Sequence, residues 1–149
     1  DIGSSFLPCE LQCAYLWPQL KSASNIAKRR RLIWEKYYAE LAPFLKKQSV
    51  ELPHIPHYCK SNHHIFYLLF PDLAARTEFI DFMRSRSIAT PFHYVPLHSS
   101  PAGGVYGEFC GLDLNTTTIS ERLVRLPIYY NLSQDEQEYV IDQIKIYFS

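Results

Sequence analysis

The sequence predicts an α+β fold, with two helices in front of a small, mostly antiparallel sheet covered by helices on one side. Three observations point there. Apolar residues recur at helical spacing through the first 45 positions. Short aromatic and β-branched runs then alternate with further amphipathic stretches. A chain of 149 residues that is 47% hydrophobic and 15% aromatic can bury a real core. The order helix, helix, strand, helix, strand, helix, strand, helix fits a two-layer arrangement.

Leu7-Pro8 opens the first helix, because proline is tolerated in a first turn. Leu11, Tyr15, Leu16 and Leu20 give its apolar stripe, and Pro18 is expected to bend it or part it from the next helix. A second pattern runs from Ala23 to Leu45 through Ile26, Ile33, Tyr37 and Leu41, widened by Trp34 and Tyr38. Val50 to Lys60, with Pro53 and Pro56, reads as an extended connector. His63 to Phe70 is a compact apolar run with the length of a buried strand, and Asp72 can cap a helix carrying Leu73, Phe79, Ile80 and Met83. Ile88 to Tyr94 is expected as a second strand and Ser99 to Asn115 as an irregular loop. Thr118-Ile-Ser-Glu121 and Ser133-Gln-Asp-Glu136 both have capping-box form. The first would open a short helix reaching Leu123. The second would start a final helix on Val140, Ile141, Ile144 and Phe148, after a short strand at Arg125 to Ile128.

Composition narrows the function. Fifteen basic and fifteen acidic residues balance, so no net field favours nucleic acid or an anionic membrane. The basic run Lys28 to Arg31 lies within a helical pattern and reads as a solvated face. Cys9, Cys13, Cys59 and Cys110 form no CxxC pair, which suggests free thiols in a reducing compartment. No run approaches the ~18 apolar residues of a membrane span, and no signal-peptide pattern is present, so the expected location is cytoplasmic. A chain opening on Asp1-Ile-Gly-Ser-Ser looks like a piece of something longer.

Chemistry is concentrated at Pro91 to Ser99, reading Pro-Phe-His-Tyr-Val-Pro-Leu-His-Ser. Two histidines bracket a tyrosine, and Pro96 stiffens the segment, as suits a strand opening into a rigid loop that meets a polar small molecule. Other groupings are weaker. His54, His57, Cys59, His63 and His64 offer five zinc donors within eleven positions, but their spacing matches no familiar zinc module. A hydrolase built from Ser99 or Cys110 with His93 or His98 and Asp113 lacks any nucleophile elbow. Five glycines make no phosphate-cradling pattern, although Ser4-Ser5 before a helix could donate hydroxyls to a phosphate.

Taken in order, several segments resemble one family. They are Asp1 to Pro8, Leu11 to Leu20, Asn62-His-His-Ile-Phe-Tyr67, Phe92-His-Tyr-Val-Pro-Leu-His98, Pro101-Ala-Gly103 and Ser120 to Ser133. The chain resembles the sugar-nucleotide aminotransferases of the DegT/StrS type, which use pyridoxal 5'-phosphate on a fold-type I scaffold. The resemblance covers essentially the whole chain but only the C-terminal part of such an enzyme. It implies a small C-terminal domain at residues 50–149, joined through a helical connector at 1–49 to a large domain that carries the Schiff-base lysine. None of the seven lysines here lies in that motif, so the resemblance implies no catalytic residue in this chain and no activity for it alone. It implies a cofactor-phosphate contact from Ser5, reaching across a homodimer, where many relatives carry asparagine. It also implies that His93, Tyr94 and His98 position the sugar or diphosphate of a dTDP-sugar, with glutamate as amino donor. Arg125 fits a structural role as well as a substrate role.

Two function classes follow. One is the C-terminal part of an enzyme moving an amino group to C4 of a dTDP-linked 4-keto sugar. The other is a non-catalytic nucleotide-sugar binding or interaction domain.

Overall fold

The computed structural model describes residues 6–149, so the expected contact from Ser5 lies outside the described residues. Helix α1 (Glu10–Lys21) leads into α2 (Ala23–Leu45). Pro18 does not end α1. Its fixed φ suits a helix, and the cost is a lost donor to the Ala14 carbonyl. The break comes at Ser22, whose amide donates to the carbonyls of Pro18 and Gln19 at 3.1 Å each.

No residue of α1 is buried, and Leu11, Tyr15, Trp17 and Leu20 all stand in solvent. By contrast, α2 buries Ile33, Trp34, Tyr37, Leu41 and Leu45 against β1 (Tyr67–Leu69), α3 (Leu73–Ser85) and α6 (Gln134–Tyr147). Residues of α2 and of the elements beyond residue 50 share one hydrophobic core.

The sheet is smaller than the three strands expected. It pairs β1 antiparallel with β2 (Leu123–Arg125), in the register Leu68 opposite Val124. Single bridges extend it on both flanks, Glu51 beside Leu69 and Phe92 beside Val124. The expected strand at Ile88 to Tyr94 is therefore reduced to one bridge. Pro91 has no amide to donate there, although its carbonyl accepts from the Arg125 amide at 3.0 Å. The last strand lies at 123–125, earlier than the Arg125 to Ile128 expected, so that Val124 and Leu126 enter the core while Arg125 faces away. Phe66, Leu68 and Phe70 alternate inward on the same principle, and all three are fully buried.

Caps explain most helix starts. The Asp72 carboxylate accepts from the Ala75 amide at 2.8 Å, and Ser133 and Glu136 form the expected reciprocal box at 3.1 and 2.8 Å. The other expected box fails. Helix α5 (Thr116–Arg122) begins before Thr118, because Asp113 reaches forward to accept from the Thr117 amide at 3.2 Å. The stretch expected as irregular loop holds a 3₁₀ turn (Leu97–Ser99) and α4 (Pro101–Tyr106), with Ser100 accepting from Gly103 at 3.0 Å. Proline at the first helical position completes that signal.

Polar clasps set the helices over the sheet. Buried Gln137 on α6 donates to the Ile33 carbonyl of α2 at 2.7 Å. Arg29, within the run read as a solvated face, instead donates to the carbonyls of Tyr130 and Leu132, while Arg31 does stay outside, paired with Glu35 at 2.7 Å. No helix among the described residues is long and apolar enough to cross a membrane.

Candidate functional site

The segment that leaves the Phe92 bridge becomes a wall with a cleft on each side. His93 and Tyr94 line both clefts. Their rings meet edge-on at 4.6 Å. The wall is held from behind, because the Ser120 hydroxyl of α5 donates to the Tyr94 carbonyl and Arg125 Nη2 donates to the Phe92 carbonyl at 3.3 Å. Tyr94 is nonetheless 67% exposed, so its ring is available for stacking.

The larger cleft, about 970 Å³, lies between the wall, the end of β2 and the first turns of α6. That is the size of a small-molecule site. It is rich in basic groups: His64, Arg86, His93 and Arg125 all line it, against the single carboxylate of Glu136. Ser87, on the rim, sits in a left-handed conformation (φ 61°) after α3, where the amides of Ser87 and Ile88 return to the carbonyls of Arg84 and Met83 at 2.9 and 3.0 Å. The Arg125 guanidinium stands 5.8 Å from the centre of the Tyr94 ring, on the edge of cation–π range. The His93 imidazole titrates below the ordinary histidine range, first because it is partly desolvated, then because the Arg125 cation and His64 are close.

The second cleft, about 640 Å³, is different in character. Its lining includes Val95, Leu97, Ile119 and Leu123, with the hydroxyls of Thr116 and Ser120 and the amide of Asn115. Apolar walls with a few neutral donors suit a deoxy sugar or a flat ring better than a charge.

His98 is turned away from both clefts. Its Nε2 lies 3.0 Å from Asp113 and 3.3 Å from the Thr117 hydroxyl, and its ring packs on Phe109 at 4.5 Å. The structure therefore brings His93 and Tyr94 together and places His98 on the loop that follows. Asp113 accepts from Thr117 through hydroxyl and amide, which holds its carboxyl below the usual range, with His98 adding to the effect. Of the hydrolase grouping, only His98 and Asp113 meet, since the Ser99 hydroxyl donates to the Pro96 carbonyl at 3.1 Å. Among the described residues no three His, Cys, Asp or Glu side chains converge as a metal site, so the donors between His54 and His64 are spread along the connector. The residue that sequence reasoning left undecided is Arg125. Its position beside two aromatic residues far away in sequence could not be read locally.

A family profile described as the DegT/DnrJ/EryC1/StrS aminotransferase family matches residues 2–145. The chain belongs to this family. It is 28% identical to the uncharacterized protein MJ1066 of Methanocaldococcus jannaschii, over 97% of this chain and 38% of that protein. Among solved structures it is similar to the aminotransferase TlmJ of Streptoalloteichus hindustanus (TM-score 0.74, 26% identity, 86% of this chain and 33% of that one). Helicobacter pylori PseC, an aminotransferase of pseudoaminic acid biosynthesis, shares the fold (TM-score 0.78, 18% identity, 97% and 38%). So does S. venezuelae DesV, solved in complex with a ketimine intermediate (TM-score 0.77, 24% identity, 93% and 36%). The chain thus spans 33–38% of the length of these relatives.

Members of the DegT family depend on pyridoxal phosphate, and the described residues do not make a site for it. None of the seven lysines lines either cleft. Lys36 and Lys145 are engaged by Glu138 and Glu40 at 2.6 and 2.8 Å, and Lys21 lies over the Trp17 ring. A Schiff-base lysine facing the wall would have to come from elsewhere.

Proposed function

We propose that this chain is the substrate-facing C-terminal part of a pyridoxal-phosphate-dependent sugar-nucleotide aminotransferase. The parent enzyme transfers an amino group from glutamate to C4 of a dTDP-4-keto-6-deoxyhexose, in the cytoplasm and as a homodimer, for surface polysaccharide synthesis. The product would be dTDP-4-amino-4,6-dideoxygalactose, as made by the transaminase of enterobacterial common antigen synthesis that the sequence resembles. The cofactor's main site belongs to the large domain, with Ser5 lending a phosphate contact.

The observation that carries the reading is the family match running through the His93–Tyr94 wall, which divides a basic cleft from an apolar one. A nucleotide sugar offers a matching contrast, an anionic diphosphate joined directly to a deoxy sugar. His93 and Tyr94 would hydrogen-bond and stack against it, and His98, through Asp113, would fix the loop behind them. The roles are binding and orientation, with no proton moved at carbon by this chain.

The reading is tested by titrating dTDP and dTDP-glucose into the protein and following the aromatic resonances by NMR. Both ligands are expected to shift Tyr94 and His93, and Tyr94→Ala should weaken dTDP-glucose by about tenfold, the worth of one stacked ring. Ligand-independent spectra of a folded sample would contradict it.

A further inference from the structure

The second cleft lies between two pieces of chain, the segment 93–100 and helix α5. Among the described residues, two side-chain links cross it. At one end the Ser120 hydroxyl donates to the Tyr94 carbonyl. At the other, His98 Nε2 lies 3.0 Å from Asp113 Oδ2 and 3.3 Å from the Thr117 hydroxyl. Leu97 and Ser100, beside His98 in the chain, line the cleft from one wall, and Thr116 and Ile119 line it from the other.

Asp113 joins the two walls. An ionised carboxylate only accepts, so each of its partners must donate. Oδ1 accepts from the Thr117 amide at 3.2 Å, while Oδ2 accepts from the Thr117 hydroxyl and from His98. The first bond caps α5, because Asn115 at the N-cap position makes no side-chain bond there. The others clasp the turn that carries Leu97. That turn is backed from outside: the His98 ring packs on Phe109 at 4.5 Å, and the Leu97 carbonyl oxygen occupies the space that a Cβ on Gly103 would need. Bonds to an ionised group are the stronger kind, and the side chains of His98 and Asp113 are each only 23% exposed.

We propose that Asp113 is a positioning residue: by clasping His98 to Thr117 it fixes the width of the second cleft, and with it the fit of the sugar ring of a nucleotide sugar. This rests on the sugar-nucleotide reading for what the cleft holds, whereas the clasp itself stands on the geometry. Asp113 lines neither cleft, so its effect passes through Leu97 on one wall and Ile119 on the other. The effect is selective. A nucleotide without a sugar does not sense the clasp, because its phosphates match the basic groups of the large cleft. The clasp is also separable from the helix cap. Asparagine at position 113 keeps an acceptor for the Thr117 amide and turns a donor toward His98 and the Thr117 hydroxyl, where the second oxygen had been.

The test compares the wild-type chain with Asp113→Asn and with His98→Phe, which keeps a ring against Phe109 and removes the donor. Amide exchange is followed at residues 97–100, and dTDP and dTDP-glucose are titrated into each protein. Both variants are expected to quicken exchange at 97–100 while β1, β2 and α6 keep their protection. Each should weaken dTDP-glucose about fivefold relative to dTDP, the worth of one clasping hydrogen bond, with dTDP itself unchanged. The two substitutions combined should do little more than either alone, because both break the same link. Unchanged exchange, or an unchanged ratio in a folded variant, overturns the proposal. So does equal weakening of the two ligands, which is the mark of a merely structural role. Should Asp113→Asn fail to fold, His98→Phe gives the same reading with the α5 cap untouched. If the wild-type chain binds neither ligand, the sugar-nucleotide reading falls, and exchange at 97–100 alone decides the clasp.

Discussion

Replacing Phe66 by alanine is expected to cost about 3–5 kcal/mol, a fifth or more of the stability of an ordinary domain. Phe66 is fully buried, and its ring meets both Trp34 and Tyr37 of α2 at 5.3 Å. Its backbone carbonyl accepts from the Leu126 amide at 2.9 Å, so the residue joins the long helix to both strands. Tyr37 in turn donates its hydroxyl to the Pro127 carbonyl at 3.0 Å, just beyond β2 and on the lining of the large cleft. The cavity left by the ring cannot be filled by shifting one side chain, because helix and strands would have to close on it together. Urea unfolding followed by circular dichroism should show the midpoint drop at constant slope. A loss below about 1 kcal/mol would mean that α2 is not anchored as described.

Gly103→Ala is expected to disrupt the loop behind the wall. A Cβ at Gly103 would lie 1.7 Å from the Leu97 carbonyl oxygen and 2.7 Å from its carbon. These are backbone atoms of the 3₁₀ turn, so no side chain can rotate out of the way. Either α4 loses its first turn or the Leu97–Ser99 turn moves, taking with it the His98 contacts to Asp113 and Phe109. Forced overpacking of this kind costs about 1–3 kcal/mol. The damage should be local: amide exchange should quicken across residues 97–106 while α6 and the β1–β2 pair keep their protection. Gly104→Ala is the control, because a Cβ there meets nothing within 4 Å. Equal protection in the two variants would refute the close approach at Gly103.

Sequence reading succeeded where structure is local. The Ser133–Glu136 box, the Asp72 cap and the span of α2 all follow from residues within a few positions of one another. It failed where a distant partner decides. The segment 88–94 has strand composition, yet it meets β2 only in the single Phe92–Val124 bridge, and Pro91 offers no donor to extend it. The start of α5 was misjudged because Asp113, outside the helix, supplies the cap that Thr118 was expected to provide. That His93 and Tyr94 share one exposed segment is legible from their adjacency before Pro96. The place of Arg125 is not, for its neighbours Phe92, His93 and Tyr94 lie about thirty positions away. His98 is close to His93 in sequence, and the 3₁₀ turn that contains it sets its ring against Asp113.

On the proposed reading, the chemistry of transamination is supplied from outside these residues, while this chain provides the wall and the clefts. The direct measurement is a titration with pyridoxal phosphate, followed by borohydride reduction, intact-mass analysis and peptide mapping. No stoichiometric adduct is expected on any of Lys21, Lys28, Lys36, Lys46, Lys47, Lys60 or Lys145. At most there should be scattered labelling that follows solvent exposure. One lysine trapped at a full equivalent would give this chain its own cofactor site and contradict the account.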